Sequence, residues 1–380
     1  EVPKFKQMSD LEKMQYHILN SKCSALVKIK EDFTDLWIGH NTWSNFYTAI
    51  RILKTYELNF DDSKYNTAKT VSFSSYPGNL ASTDDFYATS NDLVVLETTN
   101  PVMNEELLKK ITPNALLCWE RTLIANRLST NGNDWADTFI KNNSGTYNNQ
   151  FMIVDLSKFD LEKQKVYDEG LMIIEQLPEY SEKRDVTEFL RRGYWPSYNI
   201  PFSDKIRKES GYESYGESFR LLKEENEKNI EEDNAEPPIN STLDYYNNSR
   251  ANIFRRDANK VTNIEEFKSL MRYNNYSQDN LSLGHPGFSI AGRFDLETDK
   301  NMIGCLGALD AKVAGIKEIK GLEVKKFHAI GGATNANNIP PVNWSTSKAC
   351  STLAHKGLEG DFVYDWIDFE SSISKKEITK

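Results

Sequence analysis

CSALVKIKEDFTDLWIGHNTW, residues 23–43, has the pattern of two short β-strands joined by a polar turn. Residues 23–30 and 36–41 are rich in apolar, β-branched and aromatic side chains, which favour strands. The polar residues between them favour a hairpin turn centred near Phe33. Along the first strand, every second side chain from the cysteine onward falls on one face. We therefore predict a β-hairpin as the start of a β-sheet.

The predicted hairpin brings Cys23 close to His40. Antiparallel pairing around Phe33 places the cysteine opposite residue 42, within about two residues of register. A thiol, an imidazole and several hydrogen-bonding side chains then meet at one end of the sheet. A buried cysteine that behaves as a small apolar residue fits this pattern, and so does a catalytic nucleophile. The hairpin alone leaves both interpretations open.

Further elements alternate in groups along the chain, separated by polar, turn-rich segments. Strands are predicted at Thr70–Phe73, Asp92–Thr98, Phe151–Leu156 and Gly170–Gln176. Apolar residues at three- and four-residue spacing predict helices at Asn104–Ile111, Ala115–Leu128, Asp134–Lys141 and Arg184–Arg191. Thr262 with Glu265 has the pattern of a capping box that begins another helix, through Leu270. This order indicates an α+β layered domain. The highly charged residues 208–241 are predicted to form an exposed acidic insertion.

Charge and hydropathy exclude two classes of partner. The 380 residues include 46 basic and 56 acidic side chains, which give a formal net charge of −10. This balance, without a run of lysine or arginine, opposes binding to nucleic acid and to anionic membrane surfaces. Because no segment approaches the roughly 18–20 apolar residues of a membrane helix, we expect no transmembrane segment.

Cysteine and asparagine patterns bear on cofactors and on the cellular compartment. The four cysteines are far apart and include no C-x-x-C pair, so neither a zinc module nor a dense disulfide framework is indicated. We expect no metal site and no cofactor. One disulfide, between Cys305 and Cys350, is left open by the sequence. Triplets of the N-x-[ST] type, which are potential glycan acceptors in secretory proteins, begin at Asn142, Asn240, Asn247, Asn275, Asn280 and Asn343. They favour a lysosomal or secreted protein.

Several blocks resemble one known family. The hairpin itself and, in order, VSFSSYPG (71–78), DDFY (84–87), ETT (97–99), NSGTYNNQ (143–150), GYWPSYNIPF (193–202), IFRRD (253–257) and MRYNNY (271–276) are similar to segments of the phospholipase B-like proteins. These lysosomal and secreted proteins are N-terminal nucleophile hydrolases. The resemblance implies a four-layer αββα sandwich. It also implies a propeptide or linker at residues 1–22 and a single catalytic domain at residues 23–380.

The resemblance also implies a chemistry for Cys23. Members of the family cleave themselves immediately before this cysteine, which here is the bond between Lys22 and Cys23. Cleavage frees an α-amino group with an ordinary pKa of about 7.7–8.0, which can accept the proton of the neighbouring thiol. The implied activity is removal of acyl groups from phospholipids. A separate N-terminal fragment of the precursor is an expected partner.

The family's remaining active-site positions correspond to three residues of this chain. Asn199 is expected to hold the oxyanion, with Asn148 and Asn149 as competing choices, and His40 to orient the nucleophile. Arg250 is expected to bind or polarise the substrate. Because Asn247 lies only three residues from Arg250, we expect its sequon to be unoccupied or to point outward. Further candidates for substrate binding are Thr42, Trp43, Tyr76, Asn148, Trp195 and Tyr198.

Three alternative functions remain open. The first is an amidase that acts on N-acyl amides or ceramide-like lipids, because esters and amides pass through the same thioester. The second is a non-catalytic lipid-binding protein, in which Cys23 is blocked and never processed. The third is a papain-like protease that pairs Cys23 with a distant histidine, His328 or His355. That fold needs a helix at the cysteine, whereas the residues after Cys23 favour a strand.

Overall fold

The computed structural model describes residues 23–58, 67–214, 243–322 and 325–371, together with a few isolated positions before residue 23. Three sequence predictions lie wholly or mostly outside these ranges. They are the propeptide or linker at 1–22 with Lys22, the sequon at Asn240, and most of the acidic insertion at 208–241.

The elements follow the chain as a long series of strands with helices between them. The strands are β1 (Ser24–Ile29), β2 (Leu36–Asn41), β3 (Trp43–Asn45), β4 (Ile52–Glu57), β5 (Thr70–Ser75), β6 (Phe86–Thr89), β7 (Leu93–Thr99), β8 (Asn149–Asp155), β9 (Phe159–Asp160), β10 (Lys165–Val166), β11 (Leu171–Leu177), β12 (Tyr180–Asp185), β13 (Tyr194–Ser197), β14 (Leu306–Ala308), β15 (Asp310–Gly315), β16 (Lys326–Gly331) and β17 (Ile367–Glu370). The α-helices are α1 (Glu105–Leu108), α2 (Cys118–Leu128), α3 (Gly132–Phe139), α4 (Thr187–Leu190), α5 (Asp204–Ser210), α6 (Ser249–Asp257), α7 (Ile264–Met271) and α8 (Ile316–Ile319).

Two antiparallel sheets form the centre of the described chain. The first has the order β13-β1-β2-β15-β16-β17, and the second has the order β12-β11-β8-β7-β6-β5-β4. The hairpin at the start of the chain lies inside the first sheet, where β1 pairs with β13 and β2 pairs with β15. Both hairpin strands are therefore fixed on two sides, which gives Cys23 a rigid support.

The two sheets face each other across an apolar core. Ala25, Val27 and Ile29 point from β1 into this core, where they meet residues of β7 and β8 such as Val94 and Met152. Burying each large aliphatic side chain contributes about 1.5–3 kcal/mol to the free energy of unfolding. The apolar side chains at every second position of β1 therefore help to hold the two sheets together.

Helices cover the outer face of each sheet. Leu26, on the opposite face of β1 from Ala25, packs with Phe254 of α6 and Phe267 of α7. On the second sheet, Trp135 and Phe139 of α3 stack on each other, and both rings contact Phe151 of β8. The order of layers is thus helix, sheet, sheet, helix. The predicted four-layer αββα class is confirmed.

The register of the hairpin agrees with the prediction. Ser24 pairs with Asn41, so Cys23 stands next to Thr42 at the end of the ladder. Phe33 adopts a φ of 57° in the turn. The disulfide left open by the sequence is present between Cys305 and Cys350, whereas Cys23 and Cys118 are free thiols.

Two helix predictions need correction. The segment Arg184–Arg191 is not one helix, because β12 continues to Asp185 and only Thr187–Leu190 is helical. Sheet pairing with β11 overrides the helical spacing of these residues. The helix after Thr262 is capped by Asn263, whose side chain accepts from the backbone N–H groups of Glu265 and Glu266. In the described ranges, no helix is long and apolar enough to cross a membrane.

Candidate active site

Cys23 occupies a buried and strained position immediately before β1. Only 1% of the residue is exposed, and its φ of 90° lies in the left-handed region that favours glycine. A non-glycine residue in such a conformation typically costs about 1–3 kcal/mol and persists only where the surroundings enforce it.

The sulfur of Cys23 faces a carboxylate. Its Sγ donates to Oε1 of Glu97 over 3.8 Å, and the backbone of Trp43 makes a second hydrogen bond to the thiol. Burial, reinforced by the charge of Glu97, holds the pKa of the thiol well above its ordinary value. The sulfur is therefore a protonated thiol at neutral pH, beside a group that can accept its proton.

Glu97 is the central residue that the sequence analysis did not single out. It lies on β7 in the second sheet, is fully buried, and accepts a hydrogen bond from the hydroxyl of Tyr147 over 3.1 Å. The signal was present, since a glutamate inside the apolar run LVVLETT contradicts the pattern of a buried strand. This carboxylate lies next to Cys23 only because the two sheets pack face to face.

His40 lies on β2 on the same side of the sheet as Cys23. Its Nε2 lies 2.8 Å from the backbone oxygen of Glu97, so the proton resides on Nε2. Burial, with a smaller effect from the charge of Lys312, holds its pKa well below the ordinary value. The ring is therefore neutral. Its Nδ1 is buried, carries a lone pair and has no hydrogen-bond partner among the described residues.

Arg250 connects the nucleophile to the turn that carries Asn199. It lies in the first turn of α6, where Nη1 donates to the carbonyl oxygen of Cys23 over 2.8 Å and to Oγ of Ser24 over 3.2 Å. Its Nη2 donates to the carbonyl oxygen of Tyr198 over 2.6 Å. The guanidinium also lies 4.7 Å from the centre of the Trp43 ring. Burial lowers the pKa of Arg250 to about 10, which still leaves it charged at neutral pH.

Asn199 stands in a turn just after β13. It is buried and has a φ of 68°, and its Nδ2 donates to the carbonyl oxygen of Thr99 over 2.7 Å. Its own carbonyl oxygen accepts from the hydroxyl of Tyr212 over 2.7 Å. Backbone and side chain are therefore both held before any substrate binds, as an oxyanion donor requires.

A small cavity of about 40 Å³ adjoins these residues. Trp43, Asn199 and Arg250 contribute to its wall, together with Phe288 and Phe294. This volume is on the scale of a few water molecules.

Two further candidates belong to a buried cluster of charges beside the site. Thr42 accepts from Nζ of Lys312 over 2.6 Å, and the same ammonium contacts Asp310 at 2.8 Å. Tyr76 donates to Asp84 over 2.6 Å, and this carboxylate pairs with Arg51. The charges of this cluster are paired, and its residues are not among those that line the cavity.

The other predicted residues lie elsewhere. Asn148 donates to the carbonyl oxygen of Gly145, and Trp195 packs between Phe189 and Phe202 in the core. The structure thus does not bring these two to the cavity wall. Tyr198, by contrast, contributes to it. Of the described sequons, Asn142, Asn247 and Asn280 are exposed, whereas Asn275 and Asn343 are partly buried.

The histidines proposed for a papain-like site are not near Cys23. His328 lies between Glu318 and Asp368, and His355 stacks on Trp344. The residue that follows Cys23 begins a strand rather than a helix. The described chain therefore lacks the arrangement of a papain-like protease.

Comparison with known proteins identifies the family. The model of the phospholipase B family matches residues 2–369. The chain belongs to this family. The resemblance inferred from the sequence blocks is confirmed.

The chain is similar to several named relatives. It is 39% identical to phospholipase B-like protein C from Dictyostelium discoideum, over 93% of this chain and 59% of that protein. It is 41% identical to phospholipase B-like 1 from Bos taurus, over 91% of this chain and 58% of that protein. The chain thus spans about three fifths of the length of these relatives. Among solved structures, a variant of conjugated bile acid hydrolase from Clostridium perfringens is similar with a TM-score of 0.44 and 10% identity, over 94% of this chain and 100% of that one.

Proposed function

We propose that this chain is a self-processing N-terminal cysteine hydrolase that removes acyl groups from phospholipids. Membership of the phospholipase B family supports a hydrolase of this kind. The observation that carries the proposal is the position of Cys23, with its strained backbone, its sulfur 3.8 Å from Glu97 and its carbonyl oxygen held by Arg250. A cysteine that served only to fill the core would need none of these contacts.

Self-cleavage needs a base other than the α-amine, because that nitrogen is still part of the peptide bond. Glu97 accepts the proton of the thiol, and the sulfur attacks the carbonyl carbon of Lys22. The bond from this carbon to the nitrogen of Cys23 breaks, and the nitrogen takes a proton to become the α-amine. Water then hydrolyses the thioester, which restores the thiol and leaves Lys22 with a free carboxylate.

Turnover uses the amine that cleavage has created. The α-amine of Cys23 accepts the thiol proton, and the sulfur attacks the acyl carbonyl of the lipid. Asn199 supplies a donor for the oxyanion of the tetrahedral intermediate. The alcohol leaves with the proton, and water releases the fatty acid from the thioester. His40 keeps its neutral ring against the backbone of Glu97 and so helps to fix the nucleophile between the two sheets.

The same proposal places the protein in lysosomes or in the secreted fraction. The disulfide between Cys305 and Cys350 is typical of oxidising compartments. Three of the described sequons are exposed and so accessible to glycan transfer. The exposed position of Asn247 also lets a glycan point away from Arg250.

The test follows the mass of the purified chain and its activity together. We expect incubation between about pH 4.5 and 7 to yield a new N-terminus at Cys23 and release of fatty acid from phosphatidylcholine vesicles. The Cys23→Ala variant should lose both, whereas Cys118→Ala, which removes the other free thiol of the described chain, should keep both. Parallel assays with N-acyl amides decide between an ester and an amide substrate. Full hydrolysis by a chain still intact before Cys23 would refute the proposal.

A further inference from the structure

Three side chains at the buried site have the chemistry of metal ligands. Sγ of Cys23, one ring nitrogen of His40 and one carboxylate oxygen of Glu97 all lie within 4.8 Å of one another. A zinc ion takes sulfur at about 2.3 Å and nitrogen or oxygen at about 2.0–2.2 Å, so tetrahedral ligands stand about 3.3–3.8 Å apart. The 3.8 Å between Sγ and Oε1 already has this separation. The other pairs lie within 4.8 Å, so closing the site requires the ligand atoms to approach one another by at most about 1.5 Å.

The hydrogen bonds of His40 match those of a metal-binding histidine. Such a histidine usually donates its second ring N–H to a carboxylate or a backbone carbonyl, which fixes the tautomer and leaves the other nitrogen free to bind. Nε2 of His40 lies 2.8 Å from the backbone oxygen of Glu97, and the buried Nδ1 has no hydrogen-bond partner among the described residues. A thiolate, a neutral imidazole and a carboxylate together suit zinc rather than calcium or magnesium.

The charges around the site also accommodate a divalent cation. A thiolate and a carboxylate would balance its two positive charges, so the buried group is neutral as a whole. The nearest cations already have anionic partners: Lys312 contacts Asp310, and Arg51 contacts Asp84. Arg250 binds the carbonyl oxygen of Cys23 rather than its sulfur. None of these groups must be displaced for the cation to bind.

From these contacts we propose that Cys23, His40 and Glu97 form an inhibitory site for zinc or a similar thiophilic divalent cation. On binding, the thiol of Cys23 releases its proton to solvent. Bound zinc then holds the thiolate sulfur as a ligand and occupies the carboxylate, so neither is available for attack or proton transfer. The binding itself stands on the three side chains, whereas the inhibition rests on the proposed function. After cleavage the α-amine of Cys23 becomes a fourth ligand on the same residue, so the processed chain binds zinc more tightly than the intact one.

The test uses Co²⁺ and Zn²⁺ as probes on the full chain, with no substrate present. We expect one equivalent of Co²⁺ to bind and to give a near-ultraviolet thiolate-to-cobalt absorption band that Zn²⁺ abolishes. Cys23→Ala should lose the band. Glu97→Gln and His40→Gln each remove a direct ligand, so each should weaken binding by more than the roughly 10- to 100-fold that loss of an outer-shell partner costs. Cys118→Ala is the matched control, because Cys118 is also a free, buried thiol, and it should bind as the parent chain does.

Each outcome separates this inference from the proposed function. Equal cobalt binding by the parent chain and Cys23→Ala, or loss of the band in Cys118→Ala, overturns the metal site. If Cys23→Ala fails to fold by circular dichroism, Glu97→Gln, which keeps every buried thiol, decides the question. A cobalt band in a chain that hydrolyses no acyl substrate supports the site and refutes the function. Hydrolysis that micromolar Zn²⁺ leaves unchanged, without any band, refutes the site alone.

Discussion

At the scale of single residues, the candidate site is held together by groups that each bind more than one element. Arg250 shows this most clearly, since one guanidinium contacts the carbonyl oxygens of Cys23 and Tyr198 and the ring of Trp43. The planar fork of arginine fits two acceptors at once, whereas the single ammonium of lysine does not. A positive charge without the planar fork therefore does not make all of these contacts at position 250.

We expect Arg250→Lys to lower the rates of self-cleavage and lipid hydrolysis by about 100-fold, because a small displacement of the nucleophile is costly in rate. The matched control is Arg255→Lys on the same helix, whose guanidinium contacts Asn252 and Tyr246 near the surface. The control should leave both rates unchanged. Mass spectrometry of the processed chain and fatty-acid release measure the two effects. Equal rates for Arg250→Lys and the parent chain would contradict the bridging role.

The structure brings together several residues that the family resemblance selects, whereas their catalytic roles stay predictions. Cys23, Arg250 and the Asn199 turn were expected together, and one guanidinium joins all three. Glu97 lies in the ETT block (97–99) and contradicts the apolar pattern of its strand, but the sequence analysis assigned it no role. Sequence spacing carries no information about what faces a strand from another sheet, so its partner could not be named.

At the scale of elements, the close approach of α7 to β2 keeps the hairpin in place. A Cβ atom at Gly39 would lie 2.6 Å from Cε1 of Phe267 and 2.9 Å from Cγ of Met271, both on α7. The side chain of Asn41 also donates to the carbonyl oxygen of Met271. The helix therefore fits on β2 only because position 39 has no side chain.

We expect Gly39→Ala to lower the free energy of unfolding by about 1–3 kcal/mol, since the buried Phe267 ring must move. Gly360→Ala is the control, because a Cβ atom there meets nothing within 4 Å. This exposed change should stay within about 0.5 kcal/mol of the parent chain. Urea unfolding followed by fluorescence measures both. A Gly39→Ala variant as stable as the control would show that α7 packs more loosely than the distances indicate.

Elements were predicted well where the apolar pattern is regular and poorly at the edge of a sheet. The β1–β2 hairpin and its register were expected and are present. The error at Arg184–Arg191 arose because β12 is an edge strand, and its exposed charged residues have no apolar alternation that would distinguish it from a helix.

At the scale of the whole molecule, one histidine connects α8 and β17 at the edge of the first sheet. His328 on β16 contacts Glu318 of α8 over 3.0 Å and Asp368 of β17 over 2.7 Å. These contacts, with that to Glu318 the largest, raise the pKa of His328 above its ordinary value. The raised pKa means that the folded state binds a proton more tightly than the unfolded chain. Its stabilisation is complete below about pH 6.5 and is lost as the pH rises through the raised pKa.

We expect His328→Gln to destabilise the protein by about 1 kcal/mol more near pH 5.5 than near pH 8.5. The expected difference is small because the side chain of Asp368 is exposed and its charge is screened by solvent. Thermal unfolding at both pH values measures the difference. His355→Gln is the control, since His355 stacks on Trp344 and contacts the carbonyl oxygen of Leu353. This variant measures what removal of a histidine ring that stacks on tryptophan does to stability. An equal loss for His328→Gln at both pH values would mean that the histidine is not charged in the folded state.

The sequence by itself determined the hairpin, its register and hence the neighbourhood of Cys23 and His40, because pairing across a short turn depends only on nearby residues. The tertiary structure decided the rest of the site. Arg250 lies 227 residues from Cys23 along the chain, and Glu97 lies 74 residues away on the opposite sheet. Periodicity indicates which face of an element is buried but not which element covers it. That choice is made by the packing of the four layers, which sets a carboxylate against a thiol.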